Sequence, residues 1–210
     1  MPRSSQQNQR IKDERREQIL QAGLTVFAAK GLAAAKISDI AAAADLSYGL
    51  VYHYFHDKEE LYFALVERAL QGTLRLTTTA LDRPEPAWER LRALCAEMLV
   101  GLRSTPEYFR LMLQAQVSEP PPSAIHTLNA RYGVQIWINL TTLIRQAQDE
   151  GQVVAVDAGE LAYTLIATIQ GLSLNQTADY PIPNAFPSVE TVLRLLRLVS
   201  GPERDERHAD

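Results

Sequence analysis

From Asp13 onward the apolar positions recur as Ile19, Gly23, Val26 and Phe27, the spacing of one helical face, and Gly31 follows Lys30 where a left-handed cap closes a helix. Residues 37–44 restore the pattern for about two turns, with Ile37, Ile40 and Ala41 on one side and alanine repeated for close packing. Asp45, Leu46 and Ser47 interrupt it. A second short helix is predicted over residues 48–55. Asp57, with Glu60 three residues on, then makes a capping-box-like start for a helix through Leu61, Leu65, Ala69 and Gly72.

Further along, proline punctuates longer helices. Pro84 and Pro86 precede one with Trp88, Leu91, Cys95, Met98 and Leu102 at core spacing, and Thr105-Pro106 reads as a cap plus first-turn proline opening a shorter one. Pro120, Pro121 and Pro122 end that segment. Ser123 caps a predicted helix of about 28 residues, roughly 42 Å long, ending near Glu150-Gly151. Asp157 caps the next, over 158–178, and a last runs from Ser188 to Gly201. Only residues 153–156 alternate like a strand. The pattern predicts an all-α protein of about nine helices. A compact unit over 1–57 precedes a larger helical one over 58–201 and a polar tail over 202–210.

Two short helices joined by about three residues and backed by a longer one are the parts of a helix-turn-helix, whose second helix enters the DNA major groove. At about 100° per residue, Val51, Tyr54 and Phe55 cluster on one side of residues 48–55 as the core face. Gly49 and His53 lie opposite, flanked by Leu50 and Tyr52. Glycine permits close backbone approach, Tyr52 and His53 supply donors for phosphates or bases, and Leu50 suits a thymine methyl. An ordinary amphipathic surface helix would show the same aromatics.

Composition adjusts this picture. The net charge of −4 opposes a nucleic-acid partner, but residues 1–58 carry eight Lys/Arg against six Asp/Glu, leaving the acidic excess to the rest of the chain. Arg3, Arg10 and Lys12 form either a DNA-reaching arm or a solvated tail. The single cysteine, Cys95, leaves no disulfide framework and reads as core. No apolar run reaches the roughly 18 residues of a membrane span, and the polar, basic start lacks a signal core, so a cytoplasmic protein is expected. The four histidines, His53, His56, His126 and His208, show no metal spacing, and no phosphate loop or activated nucleophile is visible. The sequence therefore predicts neither an enzyme nor a cofactor.

In the run Lys30-Gly31, 37–44, Leu46-Ser47, Gly49, Tyr52-His53-Tyr54-Phe55 and Lys58-Glu59-Glu60-Leu61, the chain resembles the tetracycline-repressor (TetR) family of transcriptional regulators. The resemblance implies DNA contacts from Ser38, Ser47, Tyr48, Gly49, Tyr52, His53 and Lys58, together with a homodimer and a ligand cavity in the C-terminal half. It departs from the family at Ala35-Lys36, where a hydroxyl cap is usual, and at Asp45, where glycine is usual. Asp39 in the first turn favours the helix dipole, Lys36 is placed to reach a phosphate, and Asp tolerates left-handed geometry.

For the second half, the resemblance implies a repressor released from a palindromic operator by a small hydrophobic effector. Trp88, Tyr108, Phe109, Met112, Gln116, Tyr132, Trp137 and Gln170 are candidate pocket residues, with His126 and Asn139 as further polar anchors, although core packing explains each aromatic equally well. Ala162, Leu165, Ile166 and Ile169, with Leu161 and Leu172, make one wide apolar arc, and Val192, Leu195, Leu196 and Val199 another. Such width predicts a four-helix dimer interface, with burial inside the subunit as the alternative.

Overall fold

The computed structural model describes residues 5–117, 123–175 and 186–197. Its elements are α1 (Ser5–Ala34), α2 (Ile37–Ala43), α3 (Tyr48–Tyr54), α4 (Lys58–Asp82), α5 (Ala87–Ser104) and α6 (Pro106–Val117). After these come α7 (Ser123–Leu128), a π turn (Asn129–Gly133), α8 (Val134–Asp149), α9 (Ala158–Asn175) and α10 (Val189–Leu193). With α7, the π turn and α8 taken as one rod, the described residues hold the nine helices expected.

Local chemistry accounts for most boundaries. Gly31, expected to close the helix, instead sits at a kink with φ 73° and ψ 168°, beyond which α1 continues to Ala34. The helix begins earlier than the apolar pattern does, at Ser5, because Gln9 donates to Asp13 and Arg10 pairs with Glu14 at the favourable i, i+4 spacing. Arg10 and Lys12 thus ride on a helix rather than a loose arm. Asp57 accepts the Glu60 amide at 2.7 Å and Glu60 accepts the His56 amide at 2.6 Å, which fixes the start of α4. Asp157 and Ser188 cap α9 and α10 as predicted. Thr105 does not cap α6, because its hydroxyl donates back to Gly101 of α5. Glu150 instead supplies a distant cap, its carboxylate accepting the Ala87 amide at 2.7 Å and the Trp88 amide at 3.3 Å where α5 begins.

Two apolar cores share α4. The first joins α1, α2 and α3 to Leu61, Tyr62, Leu65, Val66 and Leu70 of α4, and reaches Leu111 of α6 and Ile125 of α7. Packing therefore crosses residue 57. Phe27 meets Tyr62 edge-to-face at 5.2 Å, and the helices approach closely because Gly23 has no side chain: a Cβ there would overlap the Leu61 δ-methyl. The second core joins the far end of α4 to α5, α8, α9 and α10 and encloses Cys95, whose thiol burial pushes up to about 12. The π turn delivers Tyr132 to α4, where its hydroxyl donates to Glu67 and accepts from Gln71. The alternating segment 153–156 makes a single antiparallel bridge, Val153 to Arg197.

The second core takes up most of the residues expected as dimer arcs. Ala162, Leu165 and Ile169 of α9, with Val192 and Leu196, are buried inside the chain's own core, and Ile166 packs partly against it. The cause is that α9 packs on α8, α6 and α5, while α10 lies on α5. Burial inside the chain accounts for these positions of the two arcs. Of that set only Leu195 is well exposed, and Val199 lies outside the described residues, as do the proline triplet, the end of the last predicted helix and the tail. Different apolar residues face outward: Val134, Trp137 and Ile138 on α8 and Tyr163, 69% exposed, on α9.

Gly23→Val would force branched atoms into the fully buried Leu61 and should cost about 1–3 kcal/mol by overpacking. Urea unfolding followed by circular dichroism checks it, with a lower midpoint expected.

Candidate nucleic-acid interface and effector cleft

The α2–α3 unit is held from below. Ile37, Ile40 and Ala41 bury one face of α2, while Val51 and Phe55 anchor α3 and its end. Tyr54, expected in this core, is half-buried against it. Asp45 sits in the turn at φ 52°, as its left-handed tolerance predicts. No side chain caps α2 from Lys36. Asp39 instead accepts the Lys36 amide at 3.2 Å and pairs with Lys30 at 2.9 Å, and the Lys30 ammonium holds its carboxyl below the usual range. Ser47 accepts the Leu50 amide at 3.3 Å and so starts α3. Its hydroxyl has a structural task as well as a predicted contact.

The outward face of α3 carries Tyr48, Gly49, Tyr52 and His53, all exposed, with Leu50 half-buried at the edge. A Cβ on Gly49 would meet nothing within 4 Å, so no internal packing demands glycine there. The Tyr48 hydroxyl donates to that of Tyr52 at 3.2 Å and the rings meet edge-on at 4.9 Å, forming one aromatic plate. The neighbouring Tyr48 hydroxyl, with some desolvation, shifts the Tyr52 phenol above its ordinary range. An open groove of about 400 Å³ brings together Lys36, Ser38, Tyr48, Tyr52 and Lys58, with Asp57 and Glu59 at its edge.

Lys58 is placed differently from the sequence expectation of a phosphate contact. Its ammonium donates to the carbonyls of Leu32, Ala33 and Ala35 at 2.8, 3.1 and 3.1 Å, so all three donors serve the chain leaving α1. Lys36, by contrast, has no ion-pair partner among the described residues, although nothing in the pattern of residues around the two lysines separates them. Three adjacent residues on α1 add contacts that periodicity did not reveal. Arg16 lies over the Phe55 ring at 5.1 Å, Glu17 pairs with Arg68 of α4, and Gln18 donates to the Ala44 carbonyl at 2.6 Å.

A separate apolar cleft of about 310 Å³ opens between α4, α5 and α6. It brings together Tyr108, Phe109 and Met112 of the predicted pocket residues and adds Arg68, Gly72, Arg75, Leu76, Leu94 and Met98. The others lie elsewhere. Trp88 borders a polar surface cleft near Glu150, Gln116 and Gln170 bond each other at 3.0 Å, Tyr132 is buried on Glu67, and Trp137 faces outward. His126 is exposed, and Asn139 is buried, donating to Thr77 and Thr78. The α4 positions 68, 72, 75 and 76 share one helical face, a signal present in the sequence but resembling an ordinary solvated stripe.

An outward aromatic face on a second helix backed by its own core, with an apolar cleft one helix away, fits a DNA-binding transcriptional regulator. Known proteins agree. The profile "Bacterial regulatory proteins, tetR family" matches residues 19–65, and that of the "BetI-type transcriptional repressor, C-terminal" matches residues 87–198. The HTH-type transcriptional regulator YfiR of Bacillus subtilis is 27% identical over 180 residues, spanning 83% of this chain and 82% of that protein. The ketosteroid regulator KstR2 of Mycobacterium tuberculosis superposes with a TM-score of 0.72 at 20% identity, over 88% of this chain and 96% of that one. A Saccharomonospora viridis regulator solved with choline gives a TM-score of 0.69 at 23% identity, over 87% and 93%. The chain belongs to the TetR family of transcriptional regulators.

Lys58→Ala strips three charge-assisted hydrogen bonds from the α1–α2 junction and should cost roughly 1–2 kcal/mol of stability. A thermal melt of the variant reads this as a lowered midpoint; an unchanged midpoint would return Lys58 to the role of a free phosphate-binding cation.

Proposed function

We propose that the chain acts as a homodimeric repressor that holds a palindromic operator through α3 and releases it when a small, largely apolar effector fills the cleft between α4, α5 and α6. The observation that carries the DNA reading is Gly49: on the outer face of α3 a Cβ at this position would meet nothing within 4 Å, so the protein's own packing does not require glycine there, which suits a backbone pressed against DNA. Tyr48, Tyr52 and His53 surround it as donors, and Lys36 and Ser38 approach from α2. The BetI-type profile favours repression over activation. Two-fold pairing would present two copies of α3 to successive major grooves. The outward apolar residues Val134, Trp137, Ile138 and Tyr163 are the surface best suited to that pairing. Effector release requires the ligand to prefer the conformation that binds DNA poorly.

Gly49→Leu should abolish binding to operator DNA selected from a random pool while helix content and melting temperature stay at parental values. Lys36→Ala should weaken binding to all sequences and lower the salt dependence by about one unit per half-site. Fluorescence anisotropy at several salt concentrations reads both. Parental operator binding by Gly49→Leu would show that α3 does not enter the groove.

Dimerisation has its own test. Ile138→Glu combined with Tyr163→Glu puts charge on the outward face of α8 and α9 and should give folded monomers in sedimentation. Leu165→Glu, inside the core, should instead unfold the chain. A double variant that stays dimeric would move the interface elsewhere.

A further inference from the structure

The effector cleft is not electrically neutral. Two arginines of α4 line it, and its single carboxylate, Glu97, is already paired with Arg83 at 2.7 Å. Arg75 sits on the rim, exposed and without an ion-pair partner among the described residues, one turn from Gly72, which leaves the wall between the two guanidinium groups open. Arg68 lies deeper, with Tyr108 beside it, and grips Glu17 of α1 through both terminal nitrogens at 2.6 and 2.7 Å. That bidentate fork is the arrangement a guanidinium offers any carboxylate. The pair is half-exposed, with side chains 34% and 56% accessible, so another carboxylate can reach the fork and compete for it. A cation such as a quaternary ammonium would find no free carboxylate among the described residues of this lining.

Glu17 stands between Arg16, which lies over Phe55 at the end of α3, and Gln18, which holds the Ala44 carbonyl before the turn. The Arg68–Glu17 pair therefore joins the wall of the cleft to the helix segment that steadies the DNA-reading unit. Two carboxylates competing for one fork repel each other, so an anion arriving from the cleft side and Glu17 cannot share it on equal terms.

We propose that the cleft takes an apolar molecule ending in a carboxylate, and that this group displaces Glu17 from Arg68 and loosens α1 from α4. The proposal rests on the reading of the chain as an effector-released DNA binder and names the chemistry of the effector. Binding is reciprocal: whatever the ligand anion loses to Glu17, it regains when Glu17 is neutralised.

The test uses the full chain with octanoate, octanol and octyltrimethylammonium, all below self-association, followed by calorimetry and by anisotropy on DNA selected by the ligand-free protein. Octanoate should bind about tenfold more tightly than octanol, with the ammonium weakest. Arg75→Gln should weaken octanoate severalfold and leave octanol unchanged; Glu17→Gln should tighten octanoate severalfold and again leave octanol unchanged. Octanoate should also lower DNA affinity of the parent. Octanol or the ammonium binding as tightly as octanoate, no binding of any of the three, or indifference of octanoate to Glu17→Gln overturns the proposal. Protein that binds octanoate in this order but selects no DNA would instead overturn the repressor reading and leave the ligand class standing. Octanoate that binds without altering DNA affinity would overturn the displacement of Glu17 as the release step.

Discussion

The crossing of α1 over α4 is the constraint on which the rest of the molecule depends. Gly23 lets the two helices close to the point where Leu61 fills the missing side chain, and Phe27 and Tyr62 lock edge-to-face beside it. Interiors packed to this density do not deform smoothly; they shift between discrete arrangements. Since α4 also supplies Ala80 to the second core and one wall of the cleft, its position is set jointly by both halves. The contacts of α4 with α5 and α6 and its close crossing with α1 are thus carried by one continuous helix.

Electrostatics near α3 are more frugal than the eight basic residues of the first 58 suggest. Lys30 is tied to Asp39, Arg10 to Glu14, and Lys58 to three carbonyls. Among the described residues Lys36 has no ion pair, and it lies in the groove beside the acids Asp57 and Glu59. On the proposed reading, binding would lean on close backbone approach and on aromatic donors to base edges more than on bulk attraction to phosphate.

The reading unit was legible in the sequence because its signals are local: short apolar periods, Asp57 and Ser47 as caps, Gly31 and Asp45 as left-handed positions. The second half was legible as helices but not as surfaces. An apolar stripe at Leu165 and Ile169 states that a face is buried and is silent about what buries it, and here the chain's own α5, α6 and α8 do so. Aromatic residues carry the same ambiguity, so only Tyr108, Phe109 and Met112 of the predicted set line the cleft. Arg68 and Arg75 escaped notice because arginine on a long helix ordinarily faces water; their place in the cleft exists only once α5 and α6 fold over them. Lys58 looked like a phosphate ligand because its three acceptors lie more than twenty residues earlier in the chain.

The π turn at Asn129–Gly133 has a bearing on how such a chain can vary. In a regular helix one added or deleted residue turns everything beyond it by roughly 100°, which would swing Trp137 and Ile138 away from their outward course and carry Asn139 off Thr77. A π turn is a wider ring that holds one surplus residue while the helix on either side keeps its bearing. The rod from α7 to α8 is thus geared along its length except at this one link, where the count of residues can change by one. Tyr132, standing in the link itself, is the side chain whose aim such a change would reset, and with it the tie to Glu67 and Gln71 on α4.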